Sequence, residues 1–195
     1  MPIPFRDQDD VEDLGVAAYL RLEADADRPG YRGALFQVNA RGEPVEFTYN
    51  RVGTPSSFLW RPGDLRRSAL KKLTASLLAT CSRAPRLILC LAAQTPSELF
   101  AQDLRVSVPV GRIATAQETT GFSTLETHET LALDAEGEEA PVHLLWFPAP
   151  PAADSPERHL LLDLHRRGLL HEPFERAGIG LHEVYGEPDA QAARP

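Results

Sequence analysis

The stretch Gly33–Asn50, GALFQVNARGEPVEFTYN, carries two runs of period-two alternation on either side of a Gly/Pro break. Ala34, Phe36, Val38 and Ala40 alternate with Leu35, Gln37 and Asn39; after the break Val45, Phe47 and Tyr49 alternate with Glu46, Thr48 and Asn50. Successive side chains of a strand point to opposite faces, so this pattern predicts a β-hairpin with one apolar face. Gly42 tolerates a positive φ in the turn, and Pro44, which lacks an N–H, sits where pairing only begins. Phe36, Val38, Val45 and Phe47 then need a cover, while Glu46 falls on the opposite face with Thr48 and Asn50.

Upstream of the hairpin, Val16–Ala24 alternates weakly and reads as a first strand, which makes a three-strand antiparallel meander. Downstream, Gly53, Pro55, Pro62 and Gly63 mark a connection, and Asp64 is placed to cap a helix over Leu65–Arg83. Leu70, Leu73 and Leu77 form an apolar stripe at helical spacing, the expected cover for the hairpin's apolar face. After Pro85 the nearly continuous run Arg86–Ala93 predicts a strand buried on both faces in the sheet interior. Pro96–Gln102 reads as a short helix, Arg105–Ile113 as a strand that Pro109 moves to an edge or interrupts, and Val142–Phe147 as another strand. Ser155 starts a helix through Arg167 that Gly168 closes, Glu172–Ala177 adds a helical turn, and Leu181–Tyr185 reads as a last strand. The expected organisation is a polar segment at 1–13, a single α+β domain over 14–186 with a mobile insertion or irregular hairpin at 115–141, and a disordered tail at 187–195.

The expected fold class is α+β, a mixed sheet that begins with the meander and is covered by a long helix. The order β-β-β-α-β-α-β resembles that of the ribonuclease H-like fold over the first 115 residues. That resemblance implies carboxylates converging from the first strand, the long helix and the end of the buried strand to hold two metal ions. Here the sequence departs from the pattern. Glu23 lies at the end of the first strand, Asp64 sits only at the helix cap, and the buried strand ends in Ala92, Ala93 and Gln94 where an acid is wanted. Glu23, Glu46 and Asp64 are the candidate acids of a metal-dependent nuclease or phosphodiesterase.

Net charge and composition bear on partners. A net charge of -8 and a pI near 5.2 argue against general affinity for nucleic acid or anionic lipid. The one dense basic cluster is Arg61, Arg66, Arg67, Lys71 and Lys72, a candidate grip for an anion or an acidic partner; no aromatic is interleaved with it, which counts against single-strand binding. His159 and Asp163 share a helix face at i,i+4 and form a weak metal candidate without a third ligand. Cys81 and Cys90 read as buried free thiols of a reducing cytoplasm. No apolar run approaches the ~20 residues that cross a bilayer. No nucleophile elbow or phosphate loop is present, and the isolated Gly178–Gly180 pair carries no nucleotide motif.

Gly33-Ala34-Leu35 followed by Gly42-Glu43-Pro44-Val45-Glu46-Phe47 resembles an uncharacterised group of bacterial proteins sharing this hairpin ahead of a helix and a buried strand. The resemblance covers the middle third of the chain and implies no activity or cofactor. Within the hairpin, Glu46 is expected to be a solvated strand residue or to pair with Arg32 or Arg41. The leading expectation is a cytoplasmic, non-catalytic binding or accessory protein with a protein partner and no cofactor, nucleic acid being an improbable partner. The alternatives are the nuclease above and a small-molecule sensor with a pocket between sheet and helix.

Overall fold

The computed structural model describes residues 2–4, 15–55, 60–119, 125–132 and 141–186. Among these residues eight strands form one mixed sheet in the order β1-β4-β3-β2-β5-β6-β8-β7. They are β1 (Pro2–Pro4), β2 (Val16–Ala24), β3 (Gly30–Asn39), β4 (Pro44–Gly53), β5 (Leu87–Leu91), β6 (Val110–Ala114), β7 (Thr127–Leu131) and β8 (Val142–Phe147). Among the described residues three α-helices pack on it: α1 (Pro62–Thr80), α2 (Pro156–Arg166) and α3 (Glu172–Tyr185).

The meander forms as the alternation predicts, with β2, β3 and β4 paired antiparallel and Phe36 opposite Phe47. Its turn is built on Asn39, whose Oδ1 accepts the N–H groups of Arg41 at 2.9 Å and Glu43 at 3.0 Å. Gly42 has φ 78°, and a Cβ there would lie 2.7 Å from the Leu169 side chain. Both the backbone angle and the space therefore select glycine. β5 lies parallel to β2 on one side and to β6 on the other, buried on both faces as its apolar run requires.

The covers of the two faces differ from the sequence expectation. Leu70, Leu73 and Leu77 of α1 pack with Leu20, Leu22, Leu35 and Ile88, on the face opposite Phe36 and Phe47. Burying each such leucine contributes about 1.5–3 kcal/mol. Phe36, Val38 and Phe47 are instead covered by Leu160, Leu161, Leu164, Phe174, Ala177 and Leu181 of α2 and α3. Alternation alone could not choose, because Leu35 and Phe36 are both buried: β3 is an interior strand with a core on each face.

The C-terminal strand expected at Leu181–Tyr185 is the last turn and a half of α3. Pro173 near its first turn and Phe174, Ala177 and Leu181 on one face make it a helix, overriding the short alternation of LHEVY. Gly180 within α3 lets the helix approach the sheet, since a Cβ there would sit 2.7 Å from the Phe47 ring. Other boundaries shift too. The N-cap of α1 is Arg61, with Pro62 at N1 and Asp64 in the first turn. The helix expected at Pro96–Gln102 is a π-helical turn, Leu99–Asp103. β6 starts after Pro109, so the ring lies outside the ladder and the strand is interior, between β5 and β8. Of the segment 115–141, β7 pairs antiparallel with β8; residues 120–124 and 133–140 lie outside the described residues, as do the tail 187–195 and most of 1–13.

Candidate active site

The chain leaves β2 towards β3 on one side and returns, through α1, to β5 on the other. Such a switch point opens a crevice at the carboxyl ends of parallel strands, where α/β sheets place their ligands. A cleft of about 340 Å3 lies there, walled by Leu22, Glu23 and Ala24 of β2, Tyr31 of β3, Arg66 and Leu70 of α1, and Ala93 and Gln94 after β5.

Glu23 borders this cleft, but it alternates with Leu22, so its carboxylate lies on the α3 face of the sheet, and both its oxygens are taken. Arg21, two residues before it on the same strand face, donates to Oε2 at 3.0 Å, and Arg32, directly opposite on β3, donates to Oε1 at 2.7 Å. Arg21 is itself held by the Phe174 carbonyl at 2.9 Å. Gln94, where the ribonuclease H-like pattern wants an acid, ties the strand ends together instead. Its Oε1 accepts the Leu22 N–H at 3.2 Å and its carbonyl accepts from Arg66 at 3.4 Å. Beside it, Arg112 of β6 donates to the Thr95 carbonyl at 2.8 Å and to both oxygens of Glu126 at 2.7 Å, a pair almost fully withdrawn from water.

The three candidate acids do not meet. Asp64 is exposed in the first turn of α1 and does not line the cleft. Glu46 is 2% exposed beneath the carboxyl end of α1, away from the cleft. Its carboxylate accepts the Ser82 N–H at 3.0 and 3.1 Å, the Thr48 hydroxyl at 2.8 Å and the Ser82 hydroxyl. It is thus neither solvated nor paired with Arg32 or Arg41, because its strand face is covered by α1.

The basic cluster divides around the exposed part of α1. Arg66 borders the cleft, Lys72 lines a second groove on the β4 side, and Arg67 is held by Asp103 at 2.7 and 2.9 Å. That hydrogen bond, helped by the charges of Arg67 and Lys71, lowers the Asp103 pKa below the usual carboxylate value. His159 is exposed, and Asp163 is engaged by Arg166 at 3.0 Å. Cys90 is a buried free thiol pushed up to about 12 by burial, and Cys81 is a half-buried free thiol.

A two-metal centre needs several carboxylate oxygens free to converge on the ions. Glu23 is occupied by guanidinium groups on both sides, and Gln94 is neutral. Among the described residues no group of three His, Cys, Asp or Glu side chains could hold a metal ion. The described residues do not fit a metal pair.

Three antiparallel strands, a helix, and two further parallel strands in the order β4-β3-β2-β5-β6 define a ribonuclease H-like α+β fold. Among solved structures, the chain is similar to endonuclease V from Streptomyces avermitilis, at 15% identity over 87% of this chain and 82% of that one, with a TM-score of 0.54. It is also similar to endonuclease V from Bacillus subtilis, at 14% identity over 87% and 79%, with a TM-score of 0.47. No family model and no curated protein matches the chain. The likeness is one of fold, and it corrects two expectations from the sequence. A non-catalytic accessory role, and nucleic acid as an improbable partner, both give way because the scaffold matched is that of an endonuclease. Among the described residues no helix is long and apolar enough to cross a membrane.

The sequence reading missed Arg21 and the Arg112–Glu126 pair, and it offered Arg32 to Glu46 where the structure pairs it with Glu23. Arg21 was readable, being two residues from Glu23 on one strand face; the others needed the strand register and the fold of the segment after β6.

Proposed function

We propose that this chain acts on nucleic acid as a phosphodiesterase, with the cleft at the carboxyl ends of β2 and β5 receiving the phosphate backbone. The observation that supports this reading most is the fold similarity to an endonuclease V, an argument from fold. The cleft's position at the switch point and Arg66 on its rim agree with it. Arg66 is exposed and, among the described residues, held by a long 3.4 Å bond to a carbonyl, so its guanidinium is able to turn to a phosphate and make a charge-assisted pair. Glu23, held between Arg21 and Arg32, leaves that end of β2 with an excess positive charge. No step is assigned to a metal, since the described residues do not fit one.

End-labelled single- and double-stranded DNA and RNA, each incubated with Mg2+, with Mn2+ or with EDTA, test the reading. Cleavage of at least one substrate is expected, slowed roughly tenfold or more by Arg66→Ala. Absence of product from every substrate in all three conditions would overturn it.

A further inference from the structure

We propose that the exposed face of α1's amino-terminal half, together with Trp60, is a docking surface for a single nucleic-acid strand, Trp60 stacking a base while Lys72 and Arg66 hold phosphates on either side. This rests on the reading that the protein acts on nucleic acid, and it names the strand form and the contacts.

Trp60 is 52% exposed, although tryptophan is among the costliest side chains to leave in water. It forms one wall of a shallow groove of about 90 Å3 with Pro55, Leu65, Ala69 and Lys72. A groove of that size does not enclose a base, but it offers an apolar ledge on which a planar ring can lie with its edges in water. Arg61 adjoins the ring in sequence, and Lys72 shares the groove with it. On the other side of the same helix Arg66 borders the cleft at the ends of β2 and β5. The first three turns of α1 therefore form a ridge between two grooves, each with a cation, and a strand crossing the ridge would run from Trp60 into the cleft.

Charge points to the same occupant. Between Arg61 and Lys72 five cations face a single carboxylate, Asp64, in a chain whose net charge is -8. Arg67 is neutralised by Asp103, whereas Arg61, Arg66, Lys71 and Lys72 are exposed. A basic ridge in an acidic molecule confines a polyanion to one place, and an aromatic beside the cations is what distinguishes a single strand from other polyanions. A duplex keeps its base faces stacked on each other and cannot use Trp60 in this way. The sequence had placed no aromatic among these charges; Trp60 precedes them, and the fold puts it in one groove with Lys72.

The chain has two tryptophans, and Trp146 is fully buried with its indole N–H on Glu129, so quenching by an added strand reports Trp60. The full-length protein is titrated, in EDTA and at low salt, with oligothymidylate of about a dozen nucleotides, a length matched to typical single-strand site sizes. Saturable quenching is expected, absent in Trp60→Ala. Anisotropy of a labelled oligonucleotide should show roughly tenfold weaker binding in Trp60→Ala, with most of the affinity restored in Trp60→Phe, since base stacking carries that much. Lys72→Ala and Arg66→Ala should each reduce the slope of log K against log salt by about one. Quenching by a duplex equal to that by the single strand, wild-type affinity in Trp60→Ala, or no binding at all would overturn the inference. If cleavage is seen while Trp60→Ala binds normally, this surface is wrong and the phosphodiesterase reading stands. Binding as described with no cleavage of any substrate upholds the surface and removes the phosphodiesterase reading.

Discussion

The two ends of the central strands treat a carboxylate in opposite ways. At the carboxyl ends of β2 and β5, Glu23 and Glu126 are each answered by guanidinium groups, Arg21 and Arg32 for one and Arg112 for the other. Towards the amino ends, Glu46 is more deeply covered than Glu23, and among the described residues its hydrogen-bond partners, Ser82 and Thr48, are neutral. The first arrangement neutralises each carboxylate with arginine. The second keeps a carboxylate buried by supplying N–H and O–H groups, which costs less reorganisation than bringing in a charge. The carboxyl end is thus organised around positive charge, the amino end around hydrogen-bond geometry.

Three substitutions sharpen or break that contrast, and thermal or urea unfolding measures each. Glu126→Ala strands a guanidinium that is almost fully buried, so it is expected to cost about 3–5 kcal/mol, the largest of the three. A loss below the Glu46 value would mean that the Arg112 contacts to Ala92 and Thr95 suffice. Glu46→Ala leaves the Ser82 and Thr48 donors without a partner under α1 and should cost about 2–3 kcal/mol, nearly independent of salt. Glu23→Gln, at a site about a fifth exposed, should cost about 1 kcal/mol or less and shrink as salt rises. Should Glu46→Ala prove salt-sensitive and Glu23→Gln not, the two ends have been assigned the wrong way round.

Much of the architecture was legible because it rests on local rules. The hairpin turn at Asn39–Glu43, the interior strand Leu87–Leu91, the helix start at Ser155 and its stop at Gly168 all follow from residue types at fixed offsets. The helical stripe of α1 was equally plain, but not which face of the sheet it covers. The Leu181–Tyr185 segment misled because five residues fit either period, and only the packing of Phe174, Ala177 and Leu181 against the sheet decides for helix. The candidate acids were legible one by one. Their failure to converge was not, since Glu23 and Glu46 belong to the two outer arms of the meander and point to opposite faces and opposite ends.

The sequence by itself determined the α+β class, the meander, the buried strand that follows the long helix, and the concentration of cations between Arg61 and Lys72. These depend on periodicity and composition, which act over a few residues. Tertiary structure alone decided that arginines flank Glu23, that Glu46 is buried among neutral donors, and that Trp60 shares a groove with Lys72. Each of those is a meeting of segments far apart in the chain, set by strand register and by which face a helix covers, and neither is written in local pattern.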